Sequence, residues 1–197
     1  RSKTLVQAQV AARDQAAKTR IVAFLAIAPP VIAAPTATST SNPITLSGTA
    51  PAGTTVNFYV NGRYTRSVVA TAGGTFSTWV PLEDSLNNIY AVATSGPDTS
   101  PASNTVQTTY TNTIARTYSG TTPISTPTVW TAGSAPTYTL TGSLTINTTG
   151  ALWIQSGVTV NVSGNFKILA AGGDFFVRGT SASRVLLRPS TTASRSE

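Results

Sequence analysis

From Tyr138 to Leu187 the chain is punctuated by glycine at positions 142, 150, 157, 164, 172 and 179, so the gaps are 8, 7, 7, 8 and 7 residues. Between these glycines every second residue is apolar, as in Leu152 and Ile154, or Val158, Val160 and Val162. Side chains alternate across a strand, so each piece reads as a short strand with one apolar face. A hairpin sandwich needs longer strands, with a turn signal only every 8–12 residues or so. Three of these pieces span about 22 residues, inside the roughly 20–50-residue periods of solenoids. The spacing predicts a coil of three short parallel strands per turn, with alternate apolar side chains inside and glycine at each corner. Strands are expected at Thr139–Thr141, Leu144–Ile146, Leu152–Ile154, Val158–Val162, Phe166–Leu169, Phe175–Val177 and Val185–Leu187. The expected stacks are Leu144/Ile146 with Phe166/Ile168, Leu152/Ile154 with Phe175/Val177, and Val158/Val160 with Val185/Leu187. By the same alternation Trp153 points out of the coil, against a preceding domain or another subunit. Residues 137–197 hold about two and a half turns, whereas about three plus caps are needed for stability, so more chain or a neighbouring molecule is expected to cover the end.

Residues 43–110 alternate differently, in short strands separated by turn residues. Strands are expected at Ile44–Ser47, Thr55–Val60, Arg66–Ala70, Phe76–Val80, Ile89–Thr94 and Thr105–Tyr110. Asn61-Gly62 suits a type I′ hairpin turn, and Gly73-Gly74 does similar work. Trp79 and Tyr90 are large enough to anchor a core. Pro- and Thr-rich residues 31–42 read as a linker, and residues 111–136 as a connector whose Trp130 covers the open end of the coil.

The stretches "SGTAPAGTTVNFYVNG", "FSTWVPL" and "NNIYAVATSGPDTSPASN" resemble a bacterial immunoglobulin-like repeat of the kind strung along surface adhesins. The match covers about 70 residues. Some relatives bind calcium through Asp-rich turns, but Glu83, Asp84 and Asp98 are not clustered as a ligand series here, so calcium does not carry over. The wording from Tyr138 to Ser190 resembles the opening turns of right-handed parallel β-helices in autotransporter passengers, phage tailspikes and polysaccharide lyases.

Residues 1–30 read as a helix. Ala, Gln, Lys and Arg favour it, and Pro29-Pro30 stop it. Val10, Ala17, Ile21, Phe24 and Ala28 form a seam, interrupted by Asp14, that is expected to anchor the chain on other subunits. A lone helix of this kind is marginal in water. The basic stretch followed by the apolar run Ile21–Ala28 also has the outline of a secretory signal, although it is too short and proline-broken to span a membrane. The chain begins at Arg1 and contains no Met, so it is expected to be processed or a piece of something longer.

Composition narrows the chemistry. Cysteine and histidine are absent, which removes disulfides, the usual zinc sites and Ser-His-Asp or Cys-His catalysis. No cofactor or metal site is expected. Charged residues make up 10% of the chain against roughly 25% in ordinary soluble domains, a surface like that of extracellular β-rich modules. The net charge of +7 is not gathered on one groove. Arg1, Lys3, Arg13, Lys18 and Arg20 supply five of the thirteen basic residues, and no basic and aromatic stripe suits nucleic acid. Glycoside chemistry needs two carboxylates across a bond. Glu83 and Asp84 are adjacent in a surface loop. Asp174 stands at a coil corner with only Lys167 or Arg178 for company. Trp153, Phe175 and Phe176 are the candidates for a sugar-stacking face. The sequons at Asn147 and Asn161 are short enough to arise by chance.

The expected protein is mainly β: an N-terminal α-helix, an immunoglobulin-like β-sandwich, then a short right-handed parallel β-helix. It is expected to be non-enzymatic, with no catalytic residues. It would form the anchoring and stalk part of an extracellular or virion appendage involved in attachment, as a homo-oligomer, with a trimer favoured by the resemblance. A glycan or receptor would be met by parts beyond this chain. The alternatives are a bacterial adhesin, an extracellular filament subunit, and the non-catalytic front end of a polysaccharide-degrading β-helix enzyme.

Overall fold

The computed structural model describes residues 7–16, 26–111, 116–120, 123–133 and 137–189. The chain is mainly β, with one short helix at its N-terminal end. The helix, α1, covers residues 7–16 and is exposed along its whole length, Val10 included. Ala17, Ile21 and Phe24 lie outside the described residues. The expected run of helix to Ala28 does not occur, because residues 26–30 carry no helix and Ala28 is exposed. The cause is local: a residue before proline is pushed out of the α region, and Ala28 precedes Pro29.

Nine strands then build two facing sheets. They are β1 (Val31–Ile32), β2 (Thr38–Ser39), β3 (Ile44–Thr49), β4 (Thr55–Val60), β5 (Arg63–Val69), β6 (Thr75–Val80), β7 (Ser85–Ser95), β8 (Asp98–Thr99) and β9 (Val106–Tyr110). One sheet runs β1-β3-β6, and the other β2-β9-β7-β4-β5 with β8 on the end of β7. All pairings are antiparallel except β2 on β9. Alternation puts Leu46, Val56, Phe58, Val60, Phe76, Val80, Ile89 and Ala91 between the sheets, with Phe58 edge-to-face on Phe76 at 5.5 Å. Asn61 and Gly62, at φ 50° and 78°, make the two-residue hairpin between β4 and β5; the positive angles are what a type I′ turn needs.

Residues 31–42, expected to be a linker, belong to the sandwich. Ile32 is buried in its core, and the Asn104 side chain holds the Ile32 backbone like a partner strand. Asn104 Oδ1 accepts from Ile32 N at 2.8 Å, and its Nδ2 donates to Ile32 O at 2.9 Å. Two residues are too few for a periodic signal, which is why the sequence hides these strands. Trp79 and Tyr90 are not core anchors. They alternate with the buried Thr78 and Val80, and with Ile89 and Ala91, and so lie on the outer surface.

The second unit is a three-sided coil of parallel strands. Its strands are β10 (Arg116–Tyr118), β11 (Pro127–Trp130), β12 (Thr137–Leu140), β13 (Leu144–Asn147), β14 (Ala151–Gln155), β15 (Thr159–Val162), β16 (Ile168–Ala171), β17 (Asp174–Arg178) and β18 (Leu186–Pro189). They form the sheets β10-β12-β15-β18, β11-β14-β17 and β13-β16, all parallel. Register partners such as Tyr138 and Val160 are 22 residues apart, and Leu144 and Ile168 are 24 apart. Leu140, Leu144, Ile146, Leu152, Ile154, Val158 and Val160 fill the interior. Every glycine from 142 to 172 falls between two strands, as the spacing predicts. At Gly142 a methyl group would stand 1.7 Å from the Ser119 carbonyl oxygen, so the adjacent turn of the coil passes too close for any side chain.

Residues 111–136, expected to be a connector, contribute β10 and β11 to the first turn. Trp130 pairs with Ile154 and is fully buried inside the coil, in a three-ring cluster with Tyr118 at 4.8 Å and Tyr138 at 4.7 Å, rather than covering its end. Leu152/Ile154 stack on Phe175/Val177, and Val160 on Leu187, as expected. The remaining stack is shifted by two residues. Ile168 lies on Leu144 and Ala170 on Ile146, while Phe166 is exposed, because the corner at Gly164 consumes residues 164–167 before the strand begins.

Candidate ligand cleft between the sandwich and the coil

The outward face of the β11-β14-β17 sheet presents two cross-strand rows, Val129–Trp153–Phe176 and Pro127–Ala151–Asp174, with Arg178 beside Gln155. Opposite stand β5 and β6 of the sandwich. Trp153 is only 2% exposed, although it points away from the coil interior, because Trp79 covers it edge-to-face at a centroid distance of 6.0 Å. Val129, Ala151 and Trp153 form a small apolar cluster with Trp79, a third core that belongs to neither unit alone. Phe176 continues the row, its ring 4.3 Å from that of Trp153.

Two guanidiniums flank this aromatic seam. Arg66 lies 3.8 Å over the Trp79 ring and donates from Nε to Thr78 Oγ1 at 2.8 Å. Arg178 lies 4.3 Å over the Trp153 ring and donates from Nη1 to the Tyr64 carbonyl, a bond from coil to sandwich. Desolvation holds both below the ordinary arginine value. The charge of Asp174 works against this at Arg66, whereas nearby Arg63 adds to it at Arg178. Above the seam opens a cleft of about 250 Å³, lined by these four residues with Tyr64, Thr65, Ser67, Asp174 and Phe176. Trp153 Nε1 and Gln155 Oε1 are buried without a hydrogen-bond partner among the described residues. Each such group costs roughly 1–3 kcal/mol.

The acids singled out in the sequence do not converge. Glu83 stands 3.6 Å from Arg63 Nη1 and accepts from Asn61 Nδ2 at 3.2 Å, while Asn87 fixes its backbone from both sides. Asp98 is exposed in β8. Asp174 faces the cleft, and neither Lys167 nor Arg178 is within ion-pairing distance of it among the described residues. Trp153 and Phe176 share one face, but Phe175 does not: it is the rung beneath Leu152. No group of three carboxylates suited to a metal is found among the described residues. Sequence reasoning missed Tyr64, Arg66 and Trp79 as cleft residues. The signal was present for Trp79, whose parity in "TFSTWV" is opposite to that of Phe76, Thr78 and Val80. No local pattern marks Arg66, because the residues it faces from the coil, Trp153, Asp174, Phe176 and Arg178, lie far away in sequence.

No family model matches the chain, and no curated protein matches it. Among solved structures it is similar to an FMN-binding beta-glucuronidase from Facaelibacterium prausnitzii L2-6 at 18% identity and a TM-score of 0.33, over 43% of this chain and 12% of that one. A likeness this partial bears on neither fold nor activity.

Proposed function

We propose that the chain is a non-enzymatic structural protein, the stalk part of an extracellular surface appendage such as a virion fibre or spike, involved in attachment. The observation that carries this reading is the bridge from Trp79 to Trp153, which buries aromatic surface from both units and joins them side by side. A spacer that transmits force needs such a joint in place of a free linker. The sandwich order, with β2 running parallel to β9 and β3-β6 facing β9-β7-β4, supports an immunoglobulin-like spacer. Register steps of 22 and 24 residues support the opening of a parallel β-helix.

The described part of α1 is exposed along its length, and in this reading the N-terminal segment is the attachment point to other subunits; a homo-oligomer, with a trimer favoured, follows from the resemblance to appendage fibres. Among the described residues no helix is long and apolar enough to cross a membrane. A bacterial adhesin would use the same parts. In the alternative of an enzyme's non-catalytic front end, cleavage would belong to parts beyond this chain, because the cleft holds a single acid, Asp174, where glycoside cleavage ordinarily takes two.

Immunogold electron microscopy with antibodies raised against the purified chain tests this. Label on a projecting appendage is expected. Label confined to the interior of particles or cells, or polysaccharide cleavage by the purified chain, would overturn it.

A further inference from the structure

We infer that the cleft between β5–β6 and β14–β17 binds one carboxylated sugar unit of an acidic polysaccharide. The inference stands on the cleft itself and holds whether the appendage belongs to a virion or a cell. Among the described residues Arg66 commits only Nε and Arg178 only one Nη1 bond, which leaves each guanidinium four N–H donors uncommitted to them. Among the described residues neither is ion-paired with a carboxylate. Two flat, under-neutralised guanidiniums at one opening suit a planar carboxylate, which they can grip in bidentate fashion.

Asp174, exposed at the rim, has a carboxylate that accepts no hydrogen bond among the described residues and so supplies the acceptor that ring hydroxyls need. The half-open rings of Phe176 and Tyr64 give apolar faces for the C–H side of a sugar. At about 250 Å³ the cleft falls just under the roughly 300–1,000 Å³ of sites for drug-sized ligands, room for one ring and not for a buried oligosaccharide. Asp174 would repel a phosphate dianion. Two cations cannot track a nucleic-acid backbone, which takes a longer basic groove. A sugar bearing a single negative charge and several hydroxyls satisfies Arg66, Arg178 and Asp174 together.

The test is a titration of the full chain, followed by ¹H–¹⁵N NMR at fixed ionic strength. The probes are methyl glucuronide and methyl galacturonide, with the matching methyl hexosides and sodium acetate as controls. Saturable shifts of the Trp79 and Trp153 indole N–H signals are expected with at least one uronide. The hexosides and acetate should bind more weakly by roughly tenfold or more. Asp174→Ala, which removes the acceptor, and Arg178→Gln should each weaken uronide binding by about tenfold. Asp174 is exposed, so its variant retains the fold even if the Arg178 variant does not. Absence of a saturable shift with both uronides, equal binding of the hexoside or of acetate, or undiminished affinity in Asp174→Ala would overturn the inference.

Discussion

Arg66 and Arg178 each lie flat on an indole at the joint, and that placement has opposed effects. The cation–π contact stabilises, by about 0.5–2 kcal/mol according to how dry the site is. Desolvation of the charge opposes it, which is why both arginines fall below their ordinary value. The balance keeps the guanidiniums charged at neutral pH but poorly hydrated, the state in which an incoming anion is bound most strongly. Tyr110 shows desolvation outweighing a hydrogen bond to Thr131 and the charge of Arg116, both of which pull the other way, on a group that is neutral at ordinary pH. It is 5% exposed, and burial pushes its phenol above the usual 10.0. Because the folded state holds the proton more tightly than the unfolded chain, this contribution to stability is complete below pH 10 and is lost as pH rises through the raised value. Chemical denaturation at a series of alkaline pH values should therefore show a fall in stability above pH 10 that is smaller in Tyr110→Phe. An equal fall in both proteins would assign the effect elsewhere.

Each turn of the coil buries its inward residues only if another turn covers them. Leu152, Ile154 and Val160 are fully buried, while Phe175, Val177 and Leu187, which occupy the same columns one turn later, are 38–54% exposed. The strands β16, β17 and β18 are each paired on one side alone among the described residues. Ile154→Ala should cost about 2–5 kcal/mol, whereas Leu187→Ala should stay within about 0.5 kcal/mol. Equal costs by urea denaturation would mean that the last turn is covered in solution. The corners and most strands of this element were legible because glycine interrupts a strict period of two. The first turn was not legible: β10 and β11 are three and four residues long and are separated by Thr- and Pro-rich sequence without a clear alternation. Trp130 looked like a cap because nothing local shows that Ile154, 24 residues on, is its register partner. In the sandwich, β1 and β2 were hidden for a similar reason, since what holds Ile32 is a side chain 72 positions away.

At the scale of the whole molecule the sequence showed two β units in the right order but not how they meet. The alternation of "ALWIQ" placed Trp153 outside the coil; it could not name Trp79 as the residue that covers it. That contact, with the Arg178 bond to the Tyr64 carbonyl, turns two small domains into one body. Removing the Trp153 ring deletes the third core and should cost roughly 3–5 kcal/mol. The proposed stalk depends on this joint being stiff, and residual dipolar couplings measure that directly. Amides of residues 31–110 and of residues 116–189 are predicted to fit a single alignment tensor in the native protein and two different tensors in Trp153→Ala. Two tensors in the native protein, with the units tumbling separately, would contradict the account.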